Sequence, residues 1–131
     1  METKFNFKSQ TCTDRNQSER LLALGLKKET ADCTLRKVSS KVYVIEAMPF
    51  CEYVDGIAED YIGDSYIPAW SLHRLILMTP KELIVNNGVI FPFRGTALMD
   101  LTINDCDLYE GKVQIIERCI KEGYFNKEYL V

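Results

Sequence analysis

The chain has 131 residues, of which 47% are hydrophobic and 27% are charged, and its net charge is −3. These values exclude a disordered chain, a collagen and a coiled coil, and the length suits a single domain over residues 1–131. The sequence has neither an apolar signal segment nor an apolar run of the roughly 20 residues that cross a bilayer, so we expect a soluble cytoplasmic protein without a membrane partner.

A capping motif predicts the first helix after Asp14. Asp14 is a favoured N-cap residue, and Gln17 stands at the position that completes a capping box. Gly25 is expected to end the helix in the left-handed conformation, which lets Leu26 pack against Leu21. The helix is short, so its leucines must be stabilised by packing in the core.

Residues 41–47 are apolar at both odd and even positions. This pattern predicts a strand that is covered on both faces and lies in the interior of a sheet. The next segment, residues 50–68, is predicted to be a long acidic and aromatic loop, because it contains the turn signals Asp55-Gly56 and Gly63-Asp64. Loops of this length in a compact domain are commonly functional.

Residues 70–78 carry apolar side chains at helical spacing and predict the second helix. Leu72, Leu75 and Ile76 form its apolar face, and His73 lies on the other side. A proline follows this segment and stops the helix, because the residue before a proline avoids helical geometry.

The dipeptide Asn87-Gly88 predicts a β-hairpin over residues 83–91. Asn-Gly favours a type I′ turn, which needs positive φ at both central residues. A two-residue turn at this point places Ile84 opposite Phe91.

A capping box at Asp107 and Glu110 predicts the start of the last helix, and Gly123 is expected to end it. Its apolar face repeats at Tyr109, Val113, Ile116 and Ile120. The two aromatic residues after Gly123 are expected to return to the core, and Asn126 is expected to cap a final turn.

These elements, with an alternating strand at residues 98–103, predict one α+β domain. We expect three main helices packed on a mixed or antiparallel sheet of about four strands.

Three short motifs carry a resemblance to a known group of proteins. Leu-Gly-Leu at 24–26, Thr-Ala-Asp at 30–32 and Pro-x-Trp-Ser-Leu at 68–72, together with the tail at 120–130, resemble short uncharacterised proteins of gut Bacteroidetes, their prophages and other mobile elements. The resemblance touches both ends and the middle of the chain. It implies no activity, cofactor or catalytic residue.

The cysteines and the single histidine give no metal or cofactor motif. The cysteines are Cys12, Cys33, Cys51, Cys106 and Cys119. They are scattered without a Cys-x-x-Cys pair, which is typical of free thiols in a reducing compartment. His73 is the only histidine, and the phosphate-loop, dinucleotide and nucleophile-elbow motifs are missing from the sequence. We therefore expect no metal and no cofactor.

The acidic and aromatic segment at residues 50–70 gives the leading functional hypothesis. Six acidic residues and no basic one lie between Glu46 and Asp64, and aromatic rings with polar tips are frequent anchors in protein interfaces. The candidate partner-binding residues are Tyr53, Asp60, Tyr61, Asp64, Tyr66 and Trp70. The hypothesis is a non-enzymatic interaction module that binds a basic protein. In the simpler interpretation, Trp70 and two of the tyrosines only close the core.

Two other functions stay open at this point. A nucleic-acid surface is the first alternative, and it would use the basic residues Lys27, Lys28, Arg36, Lys37 and Lys41. A small enzyme is the second, with Cys51 activated by His73 or with the acid pair Glu59-Asp60. The oligomeric state is also open.

Overall fold

An antiparallel sheet of three strands organises the chain in the computed structural model, which describes residues 10–79, 83–84, 90–91 and 108–131. The strands are β1 (Cys33–Ser39), β2 (Val42–Glu46) and β3 (Tyr66–Ala69). β1 is central and pairs antiparallel with both neighbours, so the spatial order is β2-β1-β3. The predicted α+β class is confirmed.

Five α-helices surround this sheet in the described part of the chain. They are α1 (Arg15–Ala23), α2 (Phe50–Tyr53), α3 (Glu59–Ile62), α4 (Leu72–Met78) and α5 (Leu108–Lys121). Two short 3₁₀ turns follow α1 and α5, at Lys28–Thr30 and Lys127–Tyr129. In the described residues, every helix is too short or too polar to cross a membrane.

The two ends of α1 have the predicted capping geometry. The Gln17 backbone N–H donates to the Asp14 carboxylate over 2.8 Å, and the Gln17 side chain accepts from the Asp14 N–H over 3.2 Å. At the other end Gly25 has a φ of 98°, and the Leu26 N–H donates to the Leu21 carbonyl over 3.2 Å. The capping box and the Schellman-type stop are both confirmed.

α5 also ends as predicted. Gly123 has a φ of 80°, and the Tyr124 N–H donates to the Cys119 carbonyl over 2.8 Å. Of the two aromatic residues that follow, Phe125 is buried but Tyr124 is 46% exposed, so only one of them returns to the core. Asn126 caps the final 3₁₀ turn through a 3.0 Å bond from the Glu128 N–H.

The main core lies among α1, α4 and α5. Its fully buried residues include Leu21, Trp70, Leu75, Val113 and Ile116. The apolar faces predicted for α1 and α5 meet Leu72 and Leu75 of α4 in this core, whereas Ile76 does not belong to it and Met78 does. A smaller buried cluster lies on one face of the sheet. It consists of Cys33 and Leu35 of β1, Ile67 and Ala69 of β3, and Cys12, which precedes α1.

The prediction that residues 41–47 form an interior strand is wrong. Among the described strands β2 lies at the edge of the sheet, and Val42 is 51% and Ile45 is 47% exposed. Apolar residues on both faces of a strand do not by themselves reveal how many neighbours it has. The central strand is β1, which sequence reasoning missed because Arg36 and Lys37 in its second half break the apolar pattern.

The predicted loop at residues 50–68 contains α2, α3 and the start of β3 instead. The two helices are single turns without side-chain caps, which gives them no sequence signal. β3 contains Pro68, a residue that argues against a strand. The Lys37 N–H donates to the Ser65 carbonyl over 2.8 Å, so Lys37 and Leu35 direct their backbone groups toward β3. Pro68 lies opposite Thr34, and the backbone groups of Thr34 point toward β2. Pro68 is therefore at a position where β3 forms no hydrogen bond with β1, so the missing N–H of the proline costs the sheet no bond.

The predicted hairpin is confirmed in its pairing direction but not in its register. β4 (Leu83–Ile84) and β5 (Ile90–Phe91) are antiparallel, and Ile84 lies opposite Ile90 instead of Phe91. The Asn87-Gly88 turn, the strand predicted at 98–103 and the cap predicted at Asp107 lie outside the described residues.

Candidate functional site

The acids of the α2–α3 region are all exposed. We call these five residues the acidic surface: Glu52, Asp55, Glu59, Asp60 and Asp64. Asp64 lies 3.6 Å from the Lys37 ammonium group, while the other four take part in no ion pair within the described residues. Their negative charge is therefore not neutralised by an ion pair within the described residues.

The four aromatic residues predicted at this site differ in exposure. Tyr61 projects from α3 and is 76% exposed. Tyr53 and Tyr66 are half-buried and pack against each other, with ring centroids 5.8 Å apart. Tyr61 is thus the aromatic side chain that a partner reaches most freely.

Trp70 is a correction to the predicted site. It is 0% exposed, and its indole N–H donates to the Thr30 hydroxyl over 2.9 Å. Its backbone N–H donates to the Thr13 hydroxyl over 3.0 Å. Trp70 is therefore a core residue that fixes the start of α4, and it cannot contact a partner. The simpler interpretation of this residue was the right one.

A groove of about 250 Å³ opens beside α3. Its apolar lining comes from Leu22, Phe50, Ile62, Tyr66 and Pro68, and Glu59 and Lys28 add charged groups. We call it the α3 groove. Sequence reasoning could not find it, because Leu22 belongs to α1 and reaches the site only through the tertiary fold.

Two local features hold the acidic surface against the sheet. The Phe50 N–H donates to the Ala31 carbonyl over 3.3 Å, and the Phe50 side chain is buried. After α3 the chain turns at Gly63, whose φ of 36° suits glycine, and enters β3 at Tyr66. α2 and α3 are thus anchored at both ends, by a buried aromatic residue and by a strand.

Two of the five basic residues predicted as a nucleic-acid surface lie on opposite faces of the sheet. Arg36 and Lys37 are adjacent in β1, so their side chains point to opposite faces of the sheet. Each of them has an acidic partner, Glu46 at 3.1 Å from Arg36 and Asp64 at 3.6 Å from Lys37. Arg36 and Lys37 therefore do not share one positive face, and each is already paired with an acid.

The residues predicted for an enzyme lack the signs of activation. The residue Cys51 is exposed at the surface. Partial desolvation of its thiol raises the pKa of Cys51, whereas a nucleophilic cysteine needs a lowered pKa. His73 is exposed on α4. Glu59 and Asp60 are neighbours in one helical turn, and the described residues contain no group of three metal-ligating side chains.

Two other cysteines lie in the small buried cluster beside the sheet. Cys12 and Cys33 are both buried and belong to the same apolar cluster. Burial raises the pKa of Cys12 to about 12 and the pKa of Cys33 to about 11. Both are therefore protonated packing residues near neutral pH.

Comparisons of the chain with protein-family models, with curated proteins and with solved structures found no match. The resemblance to short proteins of gut Bacteroidetes and their mobile elements stays a prediction.

Proposed function

We propose that this protein is a non-enzymatic interaction module that binds a basic segment of a partner protein. The binding site is the acidic surface together with the α3 groove and Tyr61. The observation that carries the proposal is an open apolar groove lined by Glu59, in a segment whose other acids Glu52, Asp55 and Asp60 are exposed and form no ion pair within the described residues.

The charge of this region favours a cationic partner. Residues 50–69 contain five acidic residues and no lysine, arginine or histidine. Such a concentration of one sign of charge accelerates the encounter with an oppositely charged protein and sets its orientation. A partner with lysine or arginine residues would bring the charges that this surface does not find within the described part of its own chain.

The groove and Tyr61 provide the apolar part of the interaction. A volume of about 250 Å³ is below the ~300–1,000 Å³ of common small-molecule sites, so it favours a side chain of a peptide over a cofactor. Tyr61 offers a large amphipathic ring with few rotatable bonds, as interface anchors usually do. The expected ligand is thus a peptide with an apolar residue between basic ones.

We also propose a cytoplasmic location. The four described cysteines are free thiols, as is usual in a reducing compartment.

The proposal is tested with a fluorescein-labelled peptide that carries one leucine flanked by lysines, titrated with the full-length protein. Binding should weaken with rising salt, because the charges that drive it are exposed. Asp60→Lys should reduce the affinity about five-fold, and Tyr61→Ala about ten-fold or more. Fluorescence anisotropy measures both changes.

Glu128→Lys is the matched control for Asp60→Lys, because it makes the same charge change at an exposed residue outside the acidic surface. The control should bind the peptide nearly as the wild type does. Equal losses in the two lysine variants, or binding that salt does not weaken, would contradict the proposal. Preferential binding of duplex DNA over the peptide would replace it with the nucleic-acid alternative.

A further inference from the structure

The outer edge of β2 is open in the part of the chain that the structure describes. β2 is the last strand on its side of the sheet, and its backbone pairs there only with β1. Strand edges of this kind expose N–H and C=O groups that a further strand can bind.

The pairing pattern identifies the backbone groups at this edge. Along a strand, successive residues direct their backbone groups to alternate sides. The bond from the Lys37 N–H to the Ser65 carbonyl shows that Lys37 points toward β3, and Lys37 lies opposite Tyr43. Arg36 therefore bonds to Val44, while Tyr43 and Ile45 present their N–H and C=O groups at the open edge.

The edge lacks the features that usually prevent strand addition. β2 contains no proline and no lysine, and the irregularity in the β1–β2 ladder lies in β1, between Lys37 and Ser39. The side chains of Val42 and Ile45 are each about half exposed, at 51% and 47%. Valine and isoleucine have β-branched side chains, which strongly favour β-structure.

We propose that this edge pairs with the same edge of a second copy of the chain, which joins two sheets into one of six antiparallel strands. With Val44 on the two-fold axis, Tyr43 lies opposite Ile45 of the second copy. Each of these pairs exchanges two backbone hydrogen bonds, so every outward-facing N–H and C=O of Tyr43 and Ile45 is satisfied.

The side chains are complementary in this register. Each Tyr43 lies opposite a β-branched isoleucine of the second copy, and the two Val44 side chains meet at the axis. The Tyr43 ring is held on its own sheet by a 3.0 Å bond from its hydroxyl to the Asp64 carbonyl and by Arg15, so the isoleucine meets the side of an ordered ring. The antiparallel arrangement brings the Lys41 end of one strand beside the Glu46 end of the other. Opposite charges therefore meet at both ends, and no like charges face each other. These features select a second copy as the partner.

The association is tested by sedimentation equilibrium of the full-length protein over about 1 µM to 1 mM, a range that suits a small interface. The wild type should change from monomer to dimer in this range. Ile45→Pro should remain a monomer, because proline removes an outward N–H without removing a bond to β1. Ile45→Thr keeps that N–H and a β-branched side chain, so it should still dimerise.

Hydrogen exchange of the wild type makes the test independent of whether Ile45→Pro folds. The amides of Tyr43 and Ile45 should be protected at high protein concentration and should exchange rapidly at low concentration. Rapid exchange at every concentration, or protection that does not depend on concentration, would overturn the proposal. A dimer whose Tyr43 and Ile45 amides stay unprotected would overturn it as well.

Discussion

The side chain of Glu110 joins α5 to α1. Its carboxylate accepts hydrogen bonds from both terminal nitrogens of Arg20, over 2.7 and 2.9 Å, and from Gln114 over 2.9 Å. Bidentate bonds of this kind are among the stronger charged contacts in proteins. The bonds from Arg20 lower the pKa of Glu110 from 4.5 to about 2, with smaller contributions from Gln114 and Gln17, against the opposing effect of desolvation.

This lowered pKa predicts how stability depends on pH. A carboxylate whose pKa is lower in the folded state stabilises the fold above its unfolded pKa, and that stabilisation is lost as the pH falls from about 4.5 to about 2. The Arg20–Glu110 pair is partly exposed, so we expect Glu110→Gln to lower the free energy of unfolding at neutral pH by about 1–2 kcal/mol. Urea unfolding measures this difference.

The difference between wild type and Glu110→Gln should shrink as the pH is lowered toward 2, because the wild-type carboxyl group then becomes neutral as well. Glu19→Gln is the control, since the exposed Arg15–Glu19 pair contributes little. A constant difference between wild type and Glu110→Gln over the acid range would contradict the assigned pKa.

At the scale of the elements, local sequence signals predicted the helix ends. They did not predict the sheet, because its strands pair with residues far away in the sequence. The caps at Asp14, Gly25 and Gly123 depend on residues within one helical turn, so the sequence contains all of their information. The edge position of β2 and the strand at Tyr66 depend on partners far along the chain. No local pattern could reveal them.

The same distinction applies to the candidate site. The exposure of the acids follows from their charge, because charged residues are rarely buried without a partner. Trp70 was misplaced because an aromatic residue next to an acidic segment suits a core and an interface equally well. The α3 groove combines Leu22 of α1 with Ile62 of α3, and only the fold brings them together.

Gly25 tests how much a helix stop contributes to stability. Its φ of 98° is unfavourable for residues with a Cβ, although a Cβ at this position would meet no atom within 4 Å. Gly25→Ala should therefore lower the free energy of unfolding by about 1–2 kcal/mol through backbone strain alone. Gly25→Asn should recover part of the loss, because asparagine tolerates this conformation. Equal stability of wild type and Gly25→Ala in urea unfolding would contradict this interpretation.

At the scale of the whole molecule, the C-terminal segment is bound to the residues that follow α1. Leu26 and Leu130 form an antiparallel bridge, and the Lys27 N–H donates to the Tyr129 carbonyl over 2.8 Å. Trp70 makes a second connection, because it bonds to Thr13 before α1 and to Thr30 after it. The sheet, α1 and the C-terminal segment should therefore unfold as one cooperative unit.

Trp70 is the single tryptophan of the chain, so its fluorescence can test this cooperativity. It is fully buried, and its emission should shift to longer wavelength only when the core opens. We expect the urea transition measured by Trp70 fluorescence to coincide with the transition measured by far-ultraviolet circular dichroism. Two separate transitions in the wild type would mean that the core around Trp70 and the rest of the fold are not one unit.

Trp70→Phe should lower the free energy of unfolding by about 1–3 kcal/mol, because it shrinks the buried ring and leaves the Thr30 hydroxyl without its donor. Tyr61→Phe, at an exposed position, should change the free energy of unfolding by less than about 0.5 kcal/mol.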